Sequence, residues 1–459
     1  MEEDAVRPTA SPVLVCAAAL AAGTLTACGG GGGASDRDTV RIAFHKETDS
    51  KVTFRDDYLK SVAGRFEKKY PGKKVKLVPV QAPQQDYYTK IQQMMRSPKT
   101  APDLVYEDTF LINSDIESGY LRPLDDFVAS WDDWKQFEPA AKRAAGGADG
   151  KVYGIPDGTD TRALWFNKKL FAKAGLPQDW KPRSWKEVLS TARTLKKKLP
   201  GVVPLNVYAG KGAGEATAMQ GFEMLLYGTG KDPLYDPKAK KWVKGGKGFR
   251  DSLEFLATVR RDKLGPDESQ VVDPNVTTDV ATQLLPQGKL AIALDGSWLS
   301  QHWIDTSGSK PWPQWRRTMG RAPMPTQHGQ APGEVSMSGG WTWSIPAKSR
   351  NPELAWKMIR VLQSKRNAVE WCVRGSQVAV RQDVATDPRY LRSMPGIKFF
   401  TDRVPTTHYR PALPVYPQVS TAITEATESV ATGSASPREA AAAYDDQLEG
   451  ITDGATVTR

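Results

Sequence analysis

Apolar and polar residues repeat along this chain with two alternating periods. Residues 40 to 44 place Val40, Ile42 and Phe44 on one face, the period-two pattern of a strand. Leu59, Val62, Phe66 and Tyr70 then recur at helical spacing and stop at Pro71-Gly72. Residues 75–80 read as a second strand, Tyr88, Ile91 and Met95 as the face of a second helix, and residues 103–106 as a third strand. Strand–helix–strand–helix–strand is how a parallel α/β sheet begins. Later helices carry start signals. Ser184-Trp185-Lys186-Glu187 has the form of a capping box ahead of Val188, Leu189, Ala192 and Leu195. Asn351-Pro352 caps a helix with Leu354, Met358 and Leu362 on one face, and Ser436-Pro437-Arg438-Glu439 opens a late helix. Short strands are expected at residues 152–155, 163–166, 290–294 and 341–345, and no internal repeat is visible.

The chain has 459 residues, too many for one ordinary core, so two or more lobes are expected. It is 39% hydrophobic and 25% charged, the composition of a soluble globular protein. No apolar run approaches the roughly 20 residues of a bilayer span. Its 14 Trp suit a core, or a site that stacks flat apolar faces.

Residues 13–25 form a short Ala-rich apolar stretch that reads as the core of a signal peptide. It ends in Leu25-Thr26-Ala27-Cys28, which resembles the bacterial lipobox. Small residues let the strand enter a peptidase groove, and the Cys28 thiol would take a diacylglyceryl group. Two acyl chains give the paired hydrophobic signals that stable anchoring requires. The glycines from Gly29 to Gly33 follow as a flexible tether. Residues 1–27 are thus expected to be removed and 28–38 to be a spacer. One feature departs from the pattern: Glu2, Glu3 and Asp4 stand against Arg7 alone where positive charge belongs, as a wrongly chosen start codon or an atypical signal would explain.

Removing residues 1–27 raises the formal charge from +11 to +13. The basic residues are mostly dispersed, densest at Lys196 to Lys198 and at Lys238, Lys240, Lys241 and Lys244, and read as solvated faces. No nucleic-acid-binding motif accompanies them. Cys372 alone would remain with the lipidated Cys28, so no disulfide forms within the mature chain, and Cys372 reads as a small buried hydrophobe.

Several ordered stretches resemble the extracellular solute-binding proteins of sugar ABC importers, the group that includes the maltose-binding protein. They are Pro102-Asp103-Leu104-Val105 with Gly119-Tyr120-Leu121-Arg122-Pro123-Leu124-Asp125-Asp126; Gly150-Lys151-Val152-Tyr153-Gly154-Ile155-Pro156 with Leu164-Trp165-Phe166-Asn167; Gly288-Lys289-Leu290-Ala291 with Asp295-Gly296-Ser297-Trp298; and Gly339-Gly340-Trp341 with Ile345-Pro346-Ala347 and Asn351-Pro352-Glu353-Leu354-Ala355-Trp356. Thr432-Gly433 and Ser436-Pro437-Arg438-Glu439-Ala440 fit as well. Together they cover almost the whole mature chain.

The resemblance implies a two-lobed periplasmic-binding-protein-like α/β fold with discontinuous lobes and a hinge. One lobe would be 39–153 with 343–409, the other 156–339 with 410–459. The chain would cross near 154–156, 339–343 and 407–413. It also implies a monomeric, non-enzymatic capture protein, lipid-anchored at the outer face of a bacterial cytoplasmic membrane. Such a protein takes a sugar in the cleft and delivers it to an ABC permease. No cofactor and no metal are implied. Open α/β sheets bind ligands beyond the carboxyl ends of their strands, and two facing edges make a cleft that can close.

A sugar site mixes carboxylates, amides or Arg with aromatic planes. Asp160, after the first crossing, aligns with a ligand-contacting acid of the maltose-binding protein; a turn or cap acid is the alternative. Glu107 and Asp108 end the third strand, although Asp108 could instead cap the next helix. Trp298, after Asp295-Gly296-Ser297, stands where the resemblance places an aromatic platform; a core Trp is the alternative. Trp341 at the second crossing is a similar case. His45 and Glu47 end the first strand and face either the cleft or solvent. Arg374 and Tyr416 complete the candidates, Tyr416 by analogy alone.

The rival classes are a cell-surface carbohydrate-active enzyme and a lectin-like receptor. Glycoside hydrolysis needs two carboxylates roughly 5–10 Å apart, and a sequence rich in acids leaves such a pair open. There is no His-Glu-x-x-His, P-loop, Gly-x-Ser-x-Gly elbow or Cys cluster, and His45, His302, His328 and His408 are scattered. Gly210, Gly212 and Gly214 imitate a dinucleotide loop without its spacing.

Overall fold

A computed structural model describes residues 36–49, 52–230, 233–304 and 309–458. The expected signal peptide, Cys28 and the glycine run lie outside the described residues. In chain order the framing strands are β1 (Thr39–Lys46), β2 (Lys74–Gln81), β3 (Leu104–Asp108), β4 (Gly154–Gly158), β5 (Arg162–Asn167), β6 (Val203–Asn206), β7 (Leu290–Gly296), β8 (Met319–Ala322), β9 (Met337–Ser338), β10 (Trp341–Ser344) and β11 (His408–Tyr409).

Two sheets result. The first has the order β2-β1-β3-β10-β4, and the second β8-β5-β7-β6. In the first, β1 runs parallel to both β2 and β3, with Ile42 beside Leu77 and Leu104. The alternation along β1 and the helical face of Leu59, Val62 and Phe66 meet there. They form one core with Leu104, Trp343 and Ile359. Burying each such side chain stabilises by about 1.5–3 kcal/mol. Strand β10 enters antiparallel between β3 and β4, so the sheet is mixed rather than purely parallel. The second sheet packs Leu164, Phe166, Leu205, Ile292 and Leu294 against Phe222 and Ile423.

A third cluster joins Trp165, Trp303 and Trp315 to Cys372, Tyr390 and Phe400. The helices of residues 365–401 therefore lean on the second sheet. They also touch the first lobe, where Glu370 pairs with Arg65 at 2.7 Å. Cys372 is buried among these groups, and burial pushes its thiol up, as suits an inert hydrophobe.

The helix start signals behave differently from one another. At Ser436 the box is complete: its hydroxyl accepts from the Glu439 N–H, and the Glu439 carboxylate accepts from the Ser436 N–H. Ser184 accepts from the Glu187 N–H at 3.3 Å, but the Glu187 carboxylate takes the Arg183 N–H, one residue earlier, so only half the expected box forms. Asn351 does not cap with its side chain; its Nδ2 donates to the Thr39 carbonyl and ties the helix start to β1. The strand expected from residue 152 begins at Gly154, because Val152 pairs instead with Gly146.

The chain leaves the first sheet at Gly158 and enters the second at Arg162, a few residues beyond the expected 154–156. Two further passages lie beside it. Strand β9 pairs with β11 in parallel, Met337 with His408 and Ser338 with Tyr409. Thr159 Oγ1 donates to the Gly339 carbonyl at 2.7 Å, and Ser338 Oγ to Thr407 Oγ1 at 2.9 Å. Gly340 sits at φ +139° with the Gly158 carbonyl 2.7 Å from where a Cβ would stand, so glycine is required at this close approach.

Candidate functional site

The carboxyl end of β3 delivers Asp108 to the space between the sheets. Its Oδ1 accepts from the Phe110 N–H at 2.8 Å, a turn bond and not the helix cap weighed from sequence, since the next helix begins after Leu111 with no side-chain cap; its Oδ2 accepts from the Tyr88 hydroxyl at 2.5 Å. Arg410, just past β11, donates through Nη2 to Asp108 at 3.0 Å and to Thr109 Oγ1 at 2.8 Å. Its Nη1 donates to Glu215 at 3.3 Å, and its guanidinium lies 5.4 Å from the Phe110 ring centre. The Tyr416 hydroxyl lies between Glu215, at 2.9 Å, and Glu223, at 2.6 Å, while Ser420 donates to the other Glu215 oxygen. Asp108 and Tyr416, named separately from sequence, thus belong to one network centred on Arg410 and Glu215.

A second group adjoins it. Asp160 accepts from the Gly339 N–H at 2.9 Å and pairs with Arg162. A Cβ on Gly339 would stand 3.2 Å from Arg410 Nη2 and 3.7 Å from Asp160 Oδ2, so the two groups flank Gly339 at the second passage. Arg162 also donates to the Met337 carbonyl and to Met219 Sδ, and its guanidinium lies 4.7 Å from the Trp298 ring centre. Asp160 and Trp298, named separately from sequence, are therefore brought together through Arg162. Trp298 lies over Gly296, where any Cβ would strike the indole.

A third group is aromatic. Half-buried Trp341 stacks on Tyr106, centroids 4.8 Å apart and planes 9° apart, and lies parallel to His45 at 6.2 Å. His45 is buried and bonds through Nε2 to the Ala82 carbonyl; desolvation lowers its pKa and favours the neutral ring. Glu47 lies 3.7 Å from His45 Nδ1 and 3.8 Å from Arg55.

Two candidates are placed elsewhere. Glu107 is wholly buried inside the first lobe, where desolvation and the neighbouring Asp115 push its pKa well above the usual range. Arg374 is half-exposed and tied to Glu370 at 3.0 Å within its own helix.

Between the lobes lies a cavity of about 270 Å³ whose lining includes Gln85, Phe110, Lys211, Glu215, Ser420 and Thr424. Lys211 Nζ pairs with Glu425 at 3.1 Å on its rim. Burial shapes the charge behind it: Glu223, desolvated and facing Glu215, is pushed up to about 8, and Asp295 to about 6. The arrangement offers hydroxyl, amide and carboxylate partners beside an apolar ring, the mixture that a polyhydroxylated ligand needs. Among the described residues, no group of three or more His, Cys, Asp or Glu could hold a metal ion.

A family model of the bacterial extracellular solute-binding proteins matches residues 53–369. The chain belongs to this family. A galactooligosaccharide-binding protein of Bacillus subtilis is 24% identical over 305 residues, which span 64% of this chain and 64% of that protein. Among solved structures, an ABC transporter solute-binding protein of Thermotoga lettingae bound with alpha-D-tagatose superposes with TM-score 0.76 at 24% identity, covering 90% of this chain and 99% of that one. The GacH receptor of Streptomyces glaucescens, solved unliganded and with acarbose, superposes with TM-score 0.74 at 23% identity, covering 90% and 99%. These neighbours share the two-lobed α/β fold.

Three polar residues of this solute-binding protein escaped the sequence reading: Arg162, Glu215 and Arg410. Arg410 falls inside the expected third crossing, so its position was marked but its charge was not. Glu215 follows the glycine run dismissed as a failed dinucleotide loop. Those glycines serve packing: a Cβ on Gly210 would stand 2.1 Å from the Val271 carbonyl, and one on Gly212 2.5 Å from that of Asp273.

Proposed function

We propose that this protein captures a carbohydrate between its lobes and delivers it to the permease of an ABC importer. The supporting observation is the interlobe cavity, which places Phe110 opposite Glu215, Ser420 and Thr424. An apolar ring suits the C–H face of a sugar, while the carboxylate and hydroxyls suit its O–H groups. The sugars named for the Bacillus, Thermotoga and Streptomyces proteins agree with this reading. Asp160, Trp298 and Trp341 extend the surface beyond the cavity, and Asp108 and Tyr416 act through Arg410 and Glu215. The protein works as a lipid-anchored monomer outside the cytoplasmic membrane, held by Cys28.

A thermal-shift screen of residues 36–459 against sugars, phosphosugars, amino acids and peptides tests the cargo. A ligand that binds only the folded state raises Tm by mass action. A shift with one sugar class, lost in Trp298→Ala, is expected; a shift confined to amino acids or peptides refutes the sugar. For the anchor, Cys28→Ala should move the full-length protein from the membrane fraction to the medium, and unchanged fractionation refutes lipidation at that residue.

A further inference from the structure

The three side chains of the Asp108–Arg410–Glu215 bridge come from different parts of the frame. Asp108 ends β3 of the first sheet. Glu215 belongs to the second lobe and is held there by Tyr416 and Ser420. Arg410 stands in the third passage between the lobes, directly after the β9–β11 pairing. Its side chain and that of Asp108 are each 7% exposed, and that of Glu215 11%. A guanidinium is suited to this place, because its rigid fork presents donors in two directions at once. One nitrogen faces Asp108 and Thr109, the other Glu215, and the plane lies near Phe110.

From this we infer that Arg410 is a positioning residue that couples lobe closure to the orientation of Glu215, a carboxylate lining the cavity. All the bonds of this bridge join protein groups, so it forms whichever solute is carried and is independent of the sugar reading. Hinge opening about the passages separates Asp108 from the second lobe. Because Arg410 is followed by the Glu215-binding helix Tyr416–Thr432, the contact that breaks is the one to Asp108 and Thr109. The bridge therefore favours the closed arrangement and presents Glu215 in one orientation when the lobes meet.

Small-angle scattering of the ligand-free protein tests this without knowledge of the cargo. Arg410→Met should raise the radius of gyration relative to wild type, while circular dichroism stays that of a folded α/β protein. Arg410→Lys, which keeps the charge but loses the fork, should fall between them. If Arg410→Met does not fold, Asp108→Asn serves: it weakens the contact that opening breaks and should give the same expansion in a folded chain. A folded Arg410→Met or Asp108→Asn protein that scatters as wild type does overturns the inference, whatever the sugar screen finds.

Discussion

Gly296→Ala is the sharpest probe of how Trp298 is held. Gly296 has φ −84° and ψ 169°, an ordinary extended conformation, so alanine meets no backbone strain. The obstacle is steric: its Cβ would stand 1.9 Å from Trp298 Cζ3 and 2.1 Å from Cη2. The indole must leave its place, and in leaving it uncovers the Arg162 guanidinium. Overpacking of this kind costs about 1–3 kcal/mol. Loss of the cation–π contact adds about 0.5–2 kcal/mol. Reduced freedom of the unfolded chain returns about 0.4–1 kcal/mol. The variant should therefore lose roughly 0.5–4.5 kcal/mol in urea unfolding, with an unchanged m-value and an altered near-ultraviolet dichroism. Its response to any sugar that stabilises wild type should also weaken. Wild-type stability with unaltered dichroism would refute the seating of the indole on Gly296. Loss of stability with full ligand response would separate Trp298 from the binding surface.

Trp165, wholly buried among Trp303, Trp315 and Phe400, should cost about 3–5 kcal/mol on Trp165→Ala by urea unfolding. Ser436→Ala removes a complete capping box and should cost about 0.5–2 kcal/mol in the same assay, whereas Ser184→Ala, with half a box, should cost less. Burial pushes both Glu223 and Asp157 up to about 8, so the folded chain keeps protons that the unfolded chain releases near pH 4; stability should decline as pH rises from about 4 to 8. Glu223→Gln should flatten that decline, and an unchanged slope in pH-dependent unfolding would remove Glu223 as its source.

The elements legible in the sequence share one property: their signal is local. The alternation of Val40, Ile42 and Phe44, the stripe of Leu59, Val62 and Phe66, and the box at Ser436 each depend on neighbours within a turn or a strand, and each recurs in the structure. Glu187 marks the limit, since its carboxylate chose between two adjacent N–H groups whose spacing the sequence does not encode. The site was legible only where one residue carries the argument alone. Trp298 and Asp160 were found by motif, yet the contact joining them is Arg162, whose side chain could as well have pointed to solvent. Glu107 and Asp108 are adjacent in sequence and were weighed alike, but period-two geometry sends one into the lobe and the other to the cleft. Arg410 is the clearest case. Its partners lie 302 and 195 residues away, so nothing within reach of a local pattern distinguishes it from the many basic residues on the surface. Only the meeting of three chain passages makes that charge a buried one, and a buried charge persists only where carboxylates have been brought to meet it.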